Sequence, residues 1–313
     1  MSLHPEVAGF LSMLAAARSK SFHEMAPTEA RVAINTLLGS LPKSSATLAG
    51  VADRQIPGPA GSIPVRIYTP AGPGPFPILM YFHGGGFVIG DLDTFDSLCR
   101  ETSAGAGVVV VSVDYRCAPE HPFPAAPDDC FAATCWAAAH AAELNGDASR
   151  IGVSGDSAGG NLAAVTALRC RDEGGPRLAA QLLVYPVCDA DPAAYPSMTA
   201  NAEGYLLTAA DMAWFVGHYV KDPAALASPK LLPMRAASLA GLPPALVITA
   251  EYDPLRDEGN AYAAKLIAAG VPVEARSYRG TIHGFYTFFT VMSLGRQAVD
   301  QGIGWLKRTL VGA

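Results

Sequence analysis

The chain has 313 residues, half of them hydrophobic and 16% charged, with a formal net charge of -6. That composition supports a sizeable core and excludes a disordered chain. The acidic balance excludes a nucleic-acid binder, which needs a basic face, and no apolar run reaches the length of a membrane span.

The opening stretch, Met1 to Phe10, has no basic n-region, and Pro5 and Glu6 fall early. No signal peptide and no stable membrane association are expected, so the expected location is cytoplasmic. Six cysteines, at 99, 117, 130, 135, 170 and 188, form no C-x-x-C pair and have no histidine at zinc-finger spacing. They read as buried reduced thiols rather than metal ligands.

Residues 5–18 and 27–39 show helical periodicity, with Pro27-Thr28-Glu29 as a start and Gly39 as a stop. Val51 to Ile56 and Ile63 to Tyr68 are β-rich and flank Pro57-Gly-Pro-Ala-Gly61. This spacing suits an antiparallel hairpin at a sheet edge. Pro77 to Phe82 is almost wholly apolar, as a buried central strand should be. It runs into His83-Gly84-Gly85-Gly86-Phe87, whose bare amides suit donors aimed at a developing oxyanion.

Val108 to Val113 reads as another buried strand. Pro119, Pro122 and Pro124 preclude a regular helix just after it. Tyr115, Arg116 and Glu120 are expected to form a buried polar network bracing the glycine loop. Asp128 to Leu144 reads as a helix containing Trp136, with His140 on its surface.

Arg150 to Asn161 organises the chain. Ile151 and Val153 suit a buried strand, and Leu162 to Leu168 suits a helix. Between them Gly155, Ser157 and Gly159 form G-x-S-x-G, the nucleophile-elbow pattern. The glycines let strand and helix backbones approach closely.

Ala180 to Tyr185 is a further strand, and residues 189–204 read as a broken loop. Thr208 to Tyr219 reads as a helix with Thr208 at the N-cap and Asp211 three residues on. It interrupts the β/α alternation, so it is expected to act as a lid over a pocket. Phe22, Tyr205, Leu206, Trp214 and Phe215 are the expected pocket residues. Ala245 to Ala250 and Val273 to Tyr278 are strands. Residues 257–269 and about 294–310 are helices.

A serine hydroxyl needs a base to take its proton, and the base needs an acid to fix its tautomer. Two histidines follow Ser157 in sequence. His218 lies within the lid helix, whereas His283 lies in a glycine-flanked loop after the last strand, where a mobile base belongs. The acid should end the preceding strand, which offers Glu251 and Asp253, with Asp257 a little beyond. Pro254 turns the chain at Asp253, which favours that residue. Asp156 is expected to point away from the serine and make a structural hydrogen bond.

Taken together, these pieces resemble the hormone-sensitive-lipase-like esterases (bacterial family IV), a branch of the α/β-hydrolase fold. The matching segments are His83 to Phe87, Tyr115 to Ala125, Gly155 to Asn161, Asp253 to Asp257 and His283 to Phe285. Cys117 stands where the family usually has leucine. The resemblance implies an α/β fold with a mostly parallel eight-stranded sheet, helices on both faces and a helical cap. Residues 1–45 and 189–225 would build the cap, and residues 46–188 and 226–313 the catalytic core.

Carried over by position, Ser157 is the nucleophile, His283 the base and Asp253 the orienting acid. The amides of Gly85, Gly86 and Ala158 form the oxyanion hole, with Gly84 a less certain member, and His83 holds the loop in shape. The implied activity is hydrolysis of short- to medium-chain carboxylic esters through an acyl-enzyme, with no metal or organic cofactor. An amide or lactone hydrolase would use the same triad. A small-molecule receptor of the gibberellin-receptor type would lack the histidine that stands here at 283. Dimers through the last sheet strand, about Val273 to Tyr278, are common in the family, and no proline protects that edge.

Overall fold

The computed structural model describes residues 2–17 and 20–312. Eight strands form one sheet in the order β1-β2-β4-β3-β5-β6-β7-β8. The strands are β1 (Gly50–Gly58), β2 (Gly61–Thr69), β3 (Phe76–Phe82), β4 (Val109–Val113), β5 (Gly146–Asp156), β6 (Leu178–Val184), β7 (Ala245–Tyr252) and β8 (Val273–Ile282). β1 and β2 form the expected edge hairpin. β2 also runs antiparallel to β4, and all pairs from β4 to β8 are parallel. Parallel neighbours need crossovers, and the helices that supply them cover both faces.

The alternation of side chains along β3 divides the core in two. Ile78, Met80 and Phe82 face one layer with α4 (Ala125–Ala139), α5 (Ala158–Asp172) and α8 (Arg256–Ala268). Leu79 and Tyr81 face the other, with α1 (Pro5–Ala16), α3 (Asp96–Ala106) and α9 (Ser293–Leu306). All seven residues of β3 are buried, as its unbroken apolar run requires. No helix among the described residues is long and apolar enough to cross a membrane.

Several boundaries differ from the sequence reading, each for a local reason. The first helix ends at Ala16, and position 18 of the expected span lies outside the described residues. The Asp128–Leu144 helix begins at Ala125 and stops at His140, followed by a 3₁₀ turn over Ala141–Leu144. His140 is half-buried at the helix end: it stacks on Trp136 at 4.9 Å, with Nδ1 2.9 Å from the Trp136 carbonyl. The 189–204 loop contains a 3₁₀ turn at Pro192–Ala194 and the short α6 (Pro196–Ala200), each opening on a proline at a position that needs no N–H donor. β7 and β8 run on to Tyr252 and Ile282, and α9 gives way to a π turn over Lys307–Val311.

Above the carboxyl ends of the strands sit α2 (Pro27–Gly39) and α7 (Ala209–Tyr219). α7 begins on a capping box: the Thr208 hydroxyl accepts from the Asp211 amide at 3.1 Å, and Asp211 accepts from the Thr208 amide at 3.2 Å. The fully buried Asp211 also accepts the His23 amide at 2.9 Å. One side chain thus caps α7 and ties it to the N-terminal segment. Phe22 packs on Phe215 beside this link, with ring centroids 5.5 Å apart.

Candidate active site

Four parallel strands end at one edge of the sheet, and each delivers a part of the site. β3 leads into His83, β5 into Ser157, β7 into Asp253 and β8 into His283. In open α/β sheets this carboxyl edge is where ligands bind.

Ser157 occupies a backbone conformation of φ 57, ψ -118, which is rare for a residue with a side chain and costs about 1–3 kcal/mol. The strand-to-helix turn enforces it: the Ser157 amide donates to the Val184 carbonyl at 2.8 Å, and the Val187 amide donates to the Ser157 carbonyl at 3.3 Å. At Gly159 a Cβ would run into the Phe82 carbonyl, so no larger residue fits where α5 crosses the end of β3.

Ser157, His283 and Asp253 are hydrogen-bonded in series. The His283 Nδ1–H donates to Asp253 Oδ2 at 2.8 Å, since a carboxylate only accepts. That tautomer leaves Nε2 bare, 3.0 Å from Ser157 Oγ, so the hydroxyl donates to it. Asp253 is fully buried, and its other oxygen accepts the Leu255 amide at 2.9 Å. The rival candidates are engaged elsewhere. Glu251 accepts the Gly280 amide at 2.7 Å, Asp257 accepts the Ser197 amide at 2.8 Å, and His218 packs edge-on against Trp214.

The glycine loop opposite is held open from below. The Gly84 amide donates to Asp156 Oδ1 at 3.0 Å, which takes it out of any oxyanion role. Among the described residues the Gly85 and Gly86 amides donate to no protein atom. Ala158 opens α5, where an amide has no partner within the helix. Gly85 adopts φ 118, and a Cβ there would meet the Ile89 carbonyl, so only glycine gives this turn. Asp156 makes the expected structural hydrogen bonds, also accepting the Tyr81 hydroxyl at 2.7 Å. Burial raises its carboxyl above the usual range. His83 is fully buried, its Nδ1 2.8 Å from the Gly84 carbonyl, and burial pushes its imidazole down to about 4. It is therefore neutral at ordinary pH.

The expected network of Tyr115, Arg116 and Glu120 is not a single cluster. Only Tyr115 touches the glycine loop, its hydroxyl donating to the His83 carbonyl at 2.8 Å. Arg116 forms a two-pronged pair with Asp129, and Glu120 pairs with Arg31. Arg31 also donates to the Val88 and Ala118 carbonyls, both at 2.8 Å, so a residue of α2 braces the loop.

A cavity of about 400 Å³ opens over Ser157 and His283, and its walls are almost wholly apolar. Phe22, Leu206 and Phe215 line it, as expected. Tyr205 and Trp214 do not: Tyr205 packs at a tilt against Tyr252 at 5.0 Å, and Trp214 packs edge-on against Phe215 and His218. Ala209, Met212, Ala213 and Val216 take the inner face instead, joined by Ile34 and Leu38 of α2. Their i, i+3, i+4, i+7 spacing was the signal available in the sequence.

Tyr185 is a further neighbour of the site that no sequence pattern marks. It is fully buried at φ 34, and its ring packs on His283 at 4.5 Å. All six cysteines are free. Burial pushes Cys117 and Cys170 up to about 12, so neither is a ready nucleophile.

Comparison with known proteins agrees with this geometry. A family model described as the alpha/beta hydrolase fold matches residues 79–287. Esterase LipI of Mycobacterium tuberculosis (strain ATCC 25618 / H37Rv) is 46% identical over 84% of this chain and 83% of its own length. Ethyl acetate hydrolase of Pseudomonas putida is 36% identical over 97% and 96%. The crystal structure of a thermostable esterase from Pseudomonas putida ECU1011 superposes with a TM-score of 0.95 at 39% identity, covering 99% of this chain and 98% of that one. An eight-stranded sheet, an elbow at Ser157 and relatives of this closeness lead to one assignment: the chain belongs to the hormone-sensitive-lipase-like branch of the α/β-hydrolase family.

Proposed function

We infer that this chain is a carboxylic ester hydrolase acting through Ser157, His283 and Asp253. The observation that carries the reading is the Ser157 Oγ–His283 Nε2 contact of 3.0 Å, continued by the 2.8 Å bond to Asp253. Ser157 Oγ attacks the ester carbonyl as its proton passes to His283 Nε2. The carbonyl oxygen takes the negative charge and rests on the amides of Gly85, Gly86 and Ala158. Loss of one such donor costs about 3–4 kcal/mol of transition-state stabilisation. His283 then protonates the leaving alcohol as the C–O bond breaks. Water attacks the acyl-enzyme by the same route, giving the acid and restoring Ser157. Asp253 keeps the imidazole in the working tautomer and stabilises its cation. The sequence of steps calls on no metal or organic cofactor.

The substrates are uncharged esters with short to medium acyl chains. The modest, mostly apolar cavity supports this. Residues 1–45 and 189–225 act as the cap over a core of 46–188 and 226–313. A cytoplasmic setting is consistent with six free thiols. β8 lies at an open sheet edge, the place for self-association between two copies.

The test is turnover of p-nitrophenyl esters from acetyl to dodecanoyl by wild type and Ser157→Ala, with matched anilides alongside. Expected are a maximum at short to medium chains, no Ser157→Ala activity and slow anilide turnover. An unchanged rate in Ser157→Ala refutes the assignment; faster anilide turnover makes the chain an amidase.

A further inference from the structure

The ladder between β7 and β8 keeps one register from Ala245↔Val273 to Ala250↔Tyr278 and resumes at Tyr252↔Ile282. The offset grows from 278 − 250 = 28 to 282 − 252 = 30, so β8 carries two extra residues there. Glu251 alone faces the stretch Arg279, Gly280 and Thr281. Extra residues in a bulge lose their ladder partners and re-aim the chain beyond them. Here the loss is made good by a side chain, because the Gly280 amide donates to the Glu251 carboxylate at 2.7 Å. Gly280 turns the chain with φ 73, and its carbonyl accepts the His4 amide at 3.0 Å. The backbone of Glu251 is itself held, its carbonyl accepting Arg256 Nη1 at 3.1 Å.

Glu251 stands two residues before Asp253, and Gly280 stands three before His283. We propose that Glu251 is a positioning residue that, by pinning Gly280, sets the approach of His283 to Asp253 and Ser157. It touches no reacting atom. Its carboxylate replaces the missing rung between the strand of the acid and the strand of the base. Small displacements of a catalytic group cost up to about a hundredfold in rate, so one such rung matters to turnover. The proposal rests on the hydrolase reading above.

The test compares Glu251→Ala, Glu251→Asp and Glu251→Gln in the full chain. Readouts are kcat and KM on p-nitrophenyl butyrate, Ser157 labelling by a fluorophosphonate, and hydrogen exchange over residues 278–283. Glu251→Ala is expected to lose about tenfold or more in kcat with KM nearly unchanged, to label more slowly and to exchange faster at Gly280. Glu251→Gln still offers an acceptor oxygen and is expected to recover most of kcat. Glu251→Asp, one methylene short, is expected to stay folded with lowered kcat, which serves should the alanine variant not fold. A wild-type kcat in Glu251→Ala or Glu251→Asp, or equal losses in the alanine and glutamine variants, overturns the role. An inactive wild type instead overturns the hydrolase reading, and this role with it.

Discussion

The carboxylate of Asp156 and the amide of Gly84 are joined at 3.0 Å, linking the residue before the nucleophile to the root of the glycine loop. The same oxygen accepts the buried Tyr81 hydroxyl. Asp156→Ala leaves both donors without an acceptor, at about 1–3 kcal/mol each. The expected result is a loss of about 2–4 kcal/mol of stability in urea unfolding, together with a fall in kcat. Asp156→Asn keeps an acceptor and should lose clearly less. Equal behaviour of the two variants would show that the hydrogen bonds do not govern the loop.

Glu258 gives a pH dependence of known sign. It is fully buried, and burial pushes its carboxyl up to about 8 although the Cys188 and Asp189 amides donate to it. The folded value lies above the unfolded one of 4.5, so folding favours the protonated form. Its stabilising contribution is full below 4.5 and is lost as pH rises through about 8. Urea midpoints from pH 5 to 9 should fall more steeply for wild type than for Glu258→Gln, which cannot ionise. Parallel curves would assign the pH dependence to other groups.

The strain at Ser157 can be read as stability. Ser157→Ala keeps a Cβ at φ 57, whereas Ser157→Gly does not. Glycine gains back about 1–3 kcal/mol of backbone strain and gives up about 0.5–1 kcal/mol to the flexibility of the unfolded chain. Among these two inactive variants the glycine protein should unfold at the higher denaturant midpoint. The reverse order would mean that the turn is not strained at this residue.

Phe215 lies against the glycine loop so closely that a Cβ on Gly86 would overlap its ring. Phe215→Ala should move the acyl-length optimum towards longer or bulkier chains by opening the cavity above the oxyanion site. It should also destabilise the protein by about 3 kcal/mol, as loss of a buried aromatic does. Gly86→Ala should cut turnover sharply, and the added Phe215→Ala should restore part of it. An acyl series on the two single variants and the double checks both statements.

What was legible in the sequence was whatever local chemistry dictates. The elbow at Ser157, the buried run of β3 and the capping box at Thr208 each follow from a few adjacent residues, and the structure has all three. Trp214 was misplaced because aromatic content was weighed above helical phase: Ala209, Met212, Ala213 and Val216 share the inner face and Trp214 does not. For another reason, Arg31 carries no sequence signal and Glu251 reads from the sequence only as a rival to Asp253. Arg31 meets Val88 and Ala118 across 57 and 87 residues, and Glu251 acts at a register shift that no local pattern announces.

The two stretches that roof the cavity, one near the start of the chain and one in its third quarter, meet at Asp211 and Phe215. Neither contributes an atom to bond making or breaking. Exchanging the side chains there that face only the cavity is therefore expected to change which molecules gain admission, whereas Arg31, which holds the Val88 and Ala118 carbonyls, is tied to the glycine loop itself. Such a division lets a lineage diversify its diet by small edits overhead, without renegotiating its chemistry each time.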